Sequence, residues 1–274
     1  MYFKIEILTF IRLAFVFLGL QFTLIAQAET HSKLTPETFW IEDMTWIELQ
    51  QHTANGFKSV ILPTGGVEQN GPFIALGKHN KVISYVAEQL AKSKGNTLIA
   101  PVWGIVPQGS LSKPTGNMLY PGTLALSVSN FEAAIDDVII SLAYSGFSKI
   151  YLIGDHGLSQ QPLLRCAERM TSVLKSAGVK VMLLSKYYNE ALEVNYLERA
   201  GLPINVQGSH AGISDTSQIL AIYPEHVRSD FMKSQTELNI TDLGASGKPN
   251  LSNSKIGSDI INMRIRAALD QMND

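Results

Sequence analysis

The sequence predicts an α/β fold: a mostly parallel central sheet with helices on both faces. Three observations carry this. Short apolar runs alternate with longer segments of helical spacing along most of the chain. The strand-like runs, such as Lys149 to Ile153 in "KIYLIGD", are almost continuously apolar, as in strands covered on both sides. Two polar, glycine-containing clusters, "GGVEQNG" and "GDHGLSQ", each directly follow such a strand. Crossovers in a sheet of this kind are right-handed, and ligands gather at the carboxyl ends of its strands.

The elements follow in order. Met44 to Gly56 has helix spacing, with Thr45 as a candidate N-cap and Gly56 as a stop. Phe57 to Pro63 reads as the first strand, Asn80 to Gly95 as an amphipathic helix and Asn96 to Val102 as the second strand. A loop containing Gly, Pro and Ser runs from Trp103 to Thr123. A helix over Ser127 to Phe147 leads to a third strand, Lys149 to Asp155. A helix over Gln160 to Gly178 leads to a fourth, Val179 to Ser185. The polar stretch Thr236 to Ser254 reads as a surface loop before a last helix, Ser258 to Met272. There is no internal repeat and no low-complexity segment.

The N-terminus carries Lys4 and Arg12, an apolar run from Leu13 to Ile25, and then Ala26-Gln27-Ala28. This is the pattern of a cleavable secretory leader, residues 1–28, preceding a single domain over residues 29–274. The apolar run is short for a membrane span of about 20 residues. The expected location is periplasmic or secreted, with no stable membrane span after processing. The 274 residues carry a formal net charge of −2 and no Lys/Arg block, which argues against a nucleic-acid partner. Cys166 is the only cysteine, so no intramolecular disulfide exists; it sits in a helical pattern and reads as a core residue.

Six histidines are present. His31, His52 and His226 lie in settings that need no chemistry: near the leader, within a polar helix, and after Pro224-Glu225. His79, His156 and His210 sit in loops or at strand ends. Glu68, His79 and His156 supply the two-His, one-carboxylate set common in catalytic zinc sites, which leave a position open for water. A metal there lowers the pKa of bound water and polarises a carbonyl. His210 and Asp215 are the candidates for proton transfer to a leaving nitrogen. Asn70, Tyr120 and Asp155 are the candidates for substrate contacts. Asp155 is otherwise expected to face solvent, to orient a neighbouring His, or to approach the metal. Trp103, Tyr187 and Tyr188 are further aromatics placed by their loops near the pocket. No phosphate loop and no Gly-x-Ser-x-Gly motif competes.

These motifs resemble the creatininase family of metal-dependent amidohydrolases. "PTGGVEQNGPFIALGKH" resembles the family's first signature, "YPGTLAL" its Pro-Gly-Thr segment, "GDHGLS" its His-Gly motif, and "HAGISDTSQIL" its last motif. The resemblance runs in order from about Ile41 to Tyr223. It implies a layered α/β fold, a homo-oligomer, and hydrolysis of a C–N bond in an amide, often cyclic, at a site that is often binuclear. By the same resemblance Glu68 and His156 fall on metal-binding positions, His210 on a catalytic His, and Asp215 in place of a Glu. Two positions depart from the pattern. Asn70 stands where the family has a metal-binding His, and His79 where it has an Asp that bridges two metals. An imidazole offers one lone pair to one metal, so the departures imply a mononuclear site. Leu158 replaces a polar or ligand position used by creatininase itself, so creatinine is not the expected substrate.

The expected function is therefore hydrolysis of a small amide, with one divalent metal (zinc first, manganese or iron as alternatives) and metal-bound water as nucleophile. The rivals are a non-catalytic protein that binds a small ligand on the same scaffold, and a purely structural oligomer component.

Overall fold

The computed structural model describes residues 38–234 and 242–274. The predicted leader and His31 lie outside the described residues, as does the start of the loop predicted from Thr236. Among the described residues no helix is long and apolar enough to cross a membrane.

Four strands, β1 (Ser59–Thr64), β2 (Thr97–Ile99), β3 (Lys149–Gly154) and β4 (Lys180–Leu183), form one parallel sheet in the order β2-β1-β3-β4. Among the described residues nine α-helices surround it: α1 (Trp46–Ala54), α2 (Lys78–Lys94), α3 (Val128–Tyr144), α4 (Gln160–Val173), α5 (Glu190–Arg199), α6 (Ile204–Gln207), α7 (Ile213–Ile222), α8 (Ser229–Ser234) and α9 (Ser254–Asn273). The period-2 geometry of the strands divides the core in two. Val60, Leu62, Ile150 and Leu152 pack with Phe131 and Ile135 of α3 and Leu163 and Met170 of α4. Ile61, Ile99, Tyr151 and Ile153 pack on the opposite face with Val82 and Val86 of α2, Ile219 of α7 and Ile261 of α9. Helices therefore cover both faces, as the apolar strands predicted.

The chain leaves β1 toward β2 through α2 and reaches β3 and β4 through α3 and α4. Opposite directions across the sheet at constant crossover hand place those helices on opposite faces. The direction reverses between β1 and β3, which is where α/β sheets open a crevice for ligands. These two strands stay in register to Thr64 and Gly154, so the loops after them leave at one level.

Local signals set several boundaries. Thr45 caps α1 in a capping box: the Glu48 amide donates to its hydroxyl, and the Glu48 carboxylate accepts from the Thr45 amide at 2.7 Å. Cys166 is fully buried, and burial pushes its thiol up to about 12, so it is the core residue expected. Other boundaries correct the sequence reading. The second helix starts at Lys78 rather than Asn80, which puts His79 in its first turn. The last helix starts at Ser254 rather than Ser258, because Asn253 caps it through the Ile256 amide at 3.0 Å. The stretch before it is not simply surface loop: Ala245 and Pro249 are buried. Helix α5 carries a weak apolar pattern, with only Glu193 and Leu197 buried, and the sequence reading placed no element there.

Candidate metal centre

The centre is built where β1 and β3 end. After β1 the chain turns through Gly65-Gly66 against the first turn of α2. A Cβ on Gly65 would lie 2.0 Å from Asn80 Oδ1 and 2.8 Å from Asn80 Cα, so only glycine permits this approach. The Gly66 amide donates to Asn80 Oδ1 at 2.8 Å. This contact pins the loop carrying Glu68 onto the helix carrying His79. The β3 loop brings Asp155 and His156 from the other side.

Glu68 is 1% exposed and stands between the two imidazoles. Its Oε1 lies 2.8 Å from His79 Nε2, and its Oε2 lies 3.0 Å from His156 Nε2. The Asn117 amide also donates to Oε2. One ligand atom from each of Glu68, His79 and His156 falls within 4.8 Å of the others, and all three residues are buried. Burial by itself raises the Glu68 carboxyl, but the hydrogen bonds from His156 and His79 outweigh it and hold the group far below the usual carboxylate range. Burial lowers His156, and its bond to Glu68 offsets only part of that. Burial and Lys78 lower His79, yet the bonds to Asp155 and Glu68 win, and its pKa is raised.

Behind His79 stands a second layer. Asp155 is 3% exposed, which corrects the expectation that it faces solvent. Its Oδ2 lies 2.7 Å from His79 Nδ1, and its Oδ1 accepts from the Tyr187 hydroxyl and, at 2.9 Å, from Arg264. Arg264 in turn donates through Nε to Glu193 at 2.6 Å. Burial raises the Asp155 carboxyl, but His79 and Arg264 hold it lowered overall. The chain Glu193–Arg264–Asp155–His79 is thus an alternating set of charges and donors in the interior, where each member would be costly without the next.

The other predicted residues fall around this cluster. His210 Nε2 lies 2.8 Å from the Gln69 carbonyl oxygen and 3.0 Å from the Gln69 side-chain Nε2, and its Nδ1 lies 3.9 Å from Glu68 Oε1. Ser246 Oγ accepts from the His210 amide at 3.0 Å. Asp215 accepts from Lys78 at 2.9 Å and from the Ala211 amide at 2.8 Å, which ties the His210 loop to the start of α2. Ala211 holds a left-handed φ of 48°, a conformation that this amide–carboxylate bond supports. Asn70 is fully buried; its Nδ2 donates to the Glu68 carbonyl at 2.9 Å, and its Oδ1 has no hydrogen-bond partner among the described residues. Tyr120 is outside the hydrogen-bonded cluster, with its hydroxyl 3.4 Å from the Asp242 carbonyl. Leu158 is 55% exposed, and its amide donates to His156 Nδ1 at 3.3 Å.

Sequence reasoning missed Asn117, Tyr187 as an Asp155 partner, Glu193 and Arg264. Arg264 left a signal: it interrupts an apolar stripe of α9 formed by Ile260, Ile261, Ile265 and Ala268. A charge at such a position requires a buried partner. Asn117 gave no comparable sign.

The donor set suits a divalent cation. Two imidazoles and one carboxylate are a common zinc set with bonds of about 2.0–2.2 Å, and the three donor atoms already lie within 4.8 Å of one another. Asp155 accepting from Nδ1–H leaves the His79 Nε2 lone pair for the ion, the usual carboxylate–histidine arrangement.

Comparisons with known proteins place the chain in a family and match its fold. A family model described as "Creatininase: Creatinine amidohydrolase" matches residues 42–271. A creatinine amidohydrolase of Pseudomonas putida is 25% identical over 201 residues, covering 71% of this chain and 75% of that protein. A 3-dehydro-scyllo-inosose hydrolase of Thermotoga maritima is 25% identical over 174 residues, 63% of this chain and 52% of its own length. Among solved structures, a mutant creatininase of Zn–Zn type superposes with a TM-score of 0.71 at 20% identity, covering 87% of this chain and 98% of that one. A manganese creatininase gives 0.71 at 20% identity, with 86% and 98% covered.

Proposed function

Since this chain belongs to the creatininase family, we propose that it hydrolyses a C–N bond in a small amide with one divalent metal held by Glu68, His79 and His156. The observation that carries the reading is the convergence of these three buried donors on one point. Zinc is the first choice of metal and manganese or iron the alternatives; the zinc and manganese forms of similar structures support that choice. When bound, such a cation makes water a nucleophile near neutral pH and polarises a carbonyl.

The chain's own groups have separable tasks. Asp155 fixes the tautomer and ring plane of His79. Asn117 holds the Glu68 carboxylate through its side-chain amide. His210 stands with Nδ1 on the Glu68 side of the centre, where it serves to move a proton from the attacking water to the departing nitrogen. Asp215 positions that histidine's loop through the Ala211 amide and Lys78. Asn70, His79 and Leu158 at the departing positions support one metal rather than two, and a substrate other than creatinine. The leader supports action outside the cytoplasm, tested by the mature N-terminal sequence. Exposed Leu111, Leu119, Leu124 and Leu158 support assembly of several copies, tested by sedimentation.

Metal analysis of purified protein tests the centre. Occupancy should approach one ion per chain and fall below about a tenth in Glu68→Ala and in His156→Ala, since each removes a ligand of only three. Full occupancy in both variants would overturn the proposal. One observation favours the second reading, a binding protein without turnover: Glu68 already receives His79, His156 and Asn117, and the Leu158 amide on His156 Nδ1 favours the tautomer with the proton on Nε2. Hydrolysis of any of a panel of cyclic amides and formamides with added zinc, manganese or iron rejects that reading.

A further inference from the structure

A cavity of about 450 Å³ lies among α5, α6, the start of α7 and Arg264 of α9. None of Glu68, His79, His156 and His210 lines it. Asp155 stands between Arg264 and His79, accepting from both, so the cavity is a space apart from the candidate metal centre. Its size is that of a small-molecule site. Its rim is open, since Glu190 is exposed and Ile204 is 64% exposed, while Glu193, Leu197, Gln207 and Arg264 are buried.

The lining presents acceptors that lack donors. Gln207 is 3% exposed, and its Nε2 donates to the Leu202 carbonyl at 2.8 Å and to the Val194 carbonyl at 3.4 Å. Both partners are acceptors, which fixes the orientation of the amide. Its Oε1 has no partner among the described residues and is not sealed from solvent. A buried acceptor of this kind calls for a donor. Charge points the same way. Glu190, Glu193 and Asp215 line the cavity against the single guanidinium of Arg264. Arg264 engages Glu193, and Lys78 engages Asp215, whereas Glu190 receives only the Tyr188 hydroxyl at 3.4 Å. These carboxylates do not gather round a bare metal ion: among the described residues only Glu68, His79 and His156 are close enough to share one. Val194, Leu197 and Ile204 add an apolar wall, which suits a ligand with a carbon body.

We propose that this cavity is a second small-molecule site and takes a short aliphatic amine in its ammonium form. An ammonium carries three donors and no acceptor, which matches Gln207 Oε1 and the Glu190 carboxylate. The alkyl chain covers the wall of Val194, Leu197 and Ile204. An anionic ligand of the same size meets an excess of like charge and is rejected. The inference does not depend on the amide chemistry of the centre.

The test compares n-butylamine with 1-butanol and butyrate at pH 7, three ligands of like size that differ in charge, titrated against wild-type protein by ligand-observed NMR. The amine should bind saturably and at least about tenfold more tightly than either of the others, as hydrogen bonds to a charged group require. An amine also ligates metals directly, so the titration is repeated on wild type stripped of metal by a chelator, where the affinity should be unchanged. Glu190→Gln should weaken amine binding at least about threefold and Gln207→Met about tenfold, both with wild-type metal content. Absence of saturable amine binding, equal affinity for 1-butanol or butyrate, loss of binding on metal removal, or full affinity in Glu190→Gln and Gln207→Met would overturn the assignment. Glu190 lies on the exposed rim, so its variant keeps the test decisive even where Gln207→Met does not fold.

Discussion

Asp155→Asn is the most informative single change, because one atom of Asp155 acts on the centre and the other on the fold. Oδ1 receives Tyr187 and Arg264, and Oδ2 receives His79 Nδ1. An asparagine keeps its oxygen on the Tyr187 and Arg264 side, since both are donors, and turns its NH2 toward His79. Nδ1 must then accept, and the proton moves to Nε2, the nitrogen that faces Glu68. Loss of an outer partner of this kind costs about 10–100-fold in metal affinity, or roughly 1.4–2.7 kcal/mol. The fold loses a charged partner of Arg264, which keeps Glu193, at a cost of about 1.5–3 kcal/mol. At about 2–4 °C per kcal/mol the melting temperature falls by roughly 3–12 °C. Zinc affinity is read by competition with a chromophoric chelator, and stability by urea unfolding of the metal-free protein. Tyr187→Phe is the control: it removes a bond to Oδ1 and leaves Oδ2 alone, so it should lower stability by about 1 kcal/mol and leave zinc affinity nearly unchanged. Zinc affinity in Asp155→Asn within twofold of wild type, or an equal loss in Tyr187→Phe, would refute the tautomer argument.

Two other outcomes follow from single contacts. Burial raises the Asp215 carboxyl, but Lys78 and His79 bring it down to about 2. This lies below the unfolded value of about 3.9, so the carboxylate's stabilising contribution is complete above that value and disappears as the pH falls through about 2. Asp215→Asn should thus be less stable than wild type by about 2 kcal/mol near pH 7, with the gap closing between pH 4 and 2 in urea unfolding; a gap independent of pH would sink the account. Gly257 allows α9 to cross α7 closely, since a Cβ there would sit 1.8 Å from the Ser217 carbonyl oxygen. Gly257→Ala should cost about 1–3 kcal/mol through forced separation of the helices, and an unchanged melting temperature would show that they do not meet there.

The sequence by itself determined the layers. Apolar strands such as "KIYLIGD" and amphipathic helices such as that over Asn80 to Gly95 carry their periods locally, and a parallel sheet covered on both faces is the arrangement that buries both patterns. It also determined which sheet edge carries the candidate centre, because Glu68 and His156 stand just past strands whose direction the alternation fixed. Only the tertiary structure decided the partners. That Asp155 sits under His79 depends on β1 and β3 being neighbours in register. That it is held by Arg264 depends on a helix 109 residues further along the chain. Periodicity is a property of successive residues and survives in the one-dimensional string. The pairing of buried polar atoms is settled by which surfaces meet, and no local pattern encodes that.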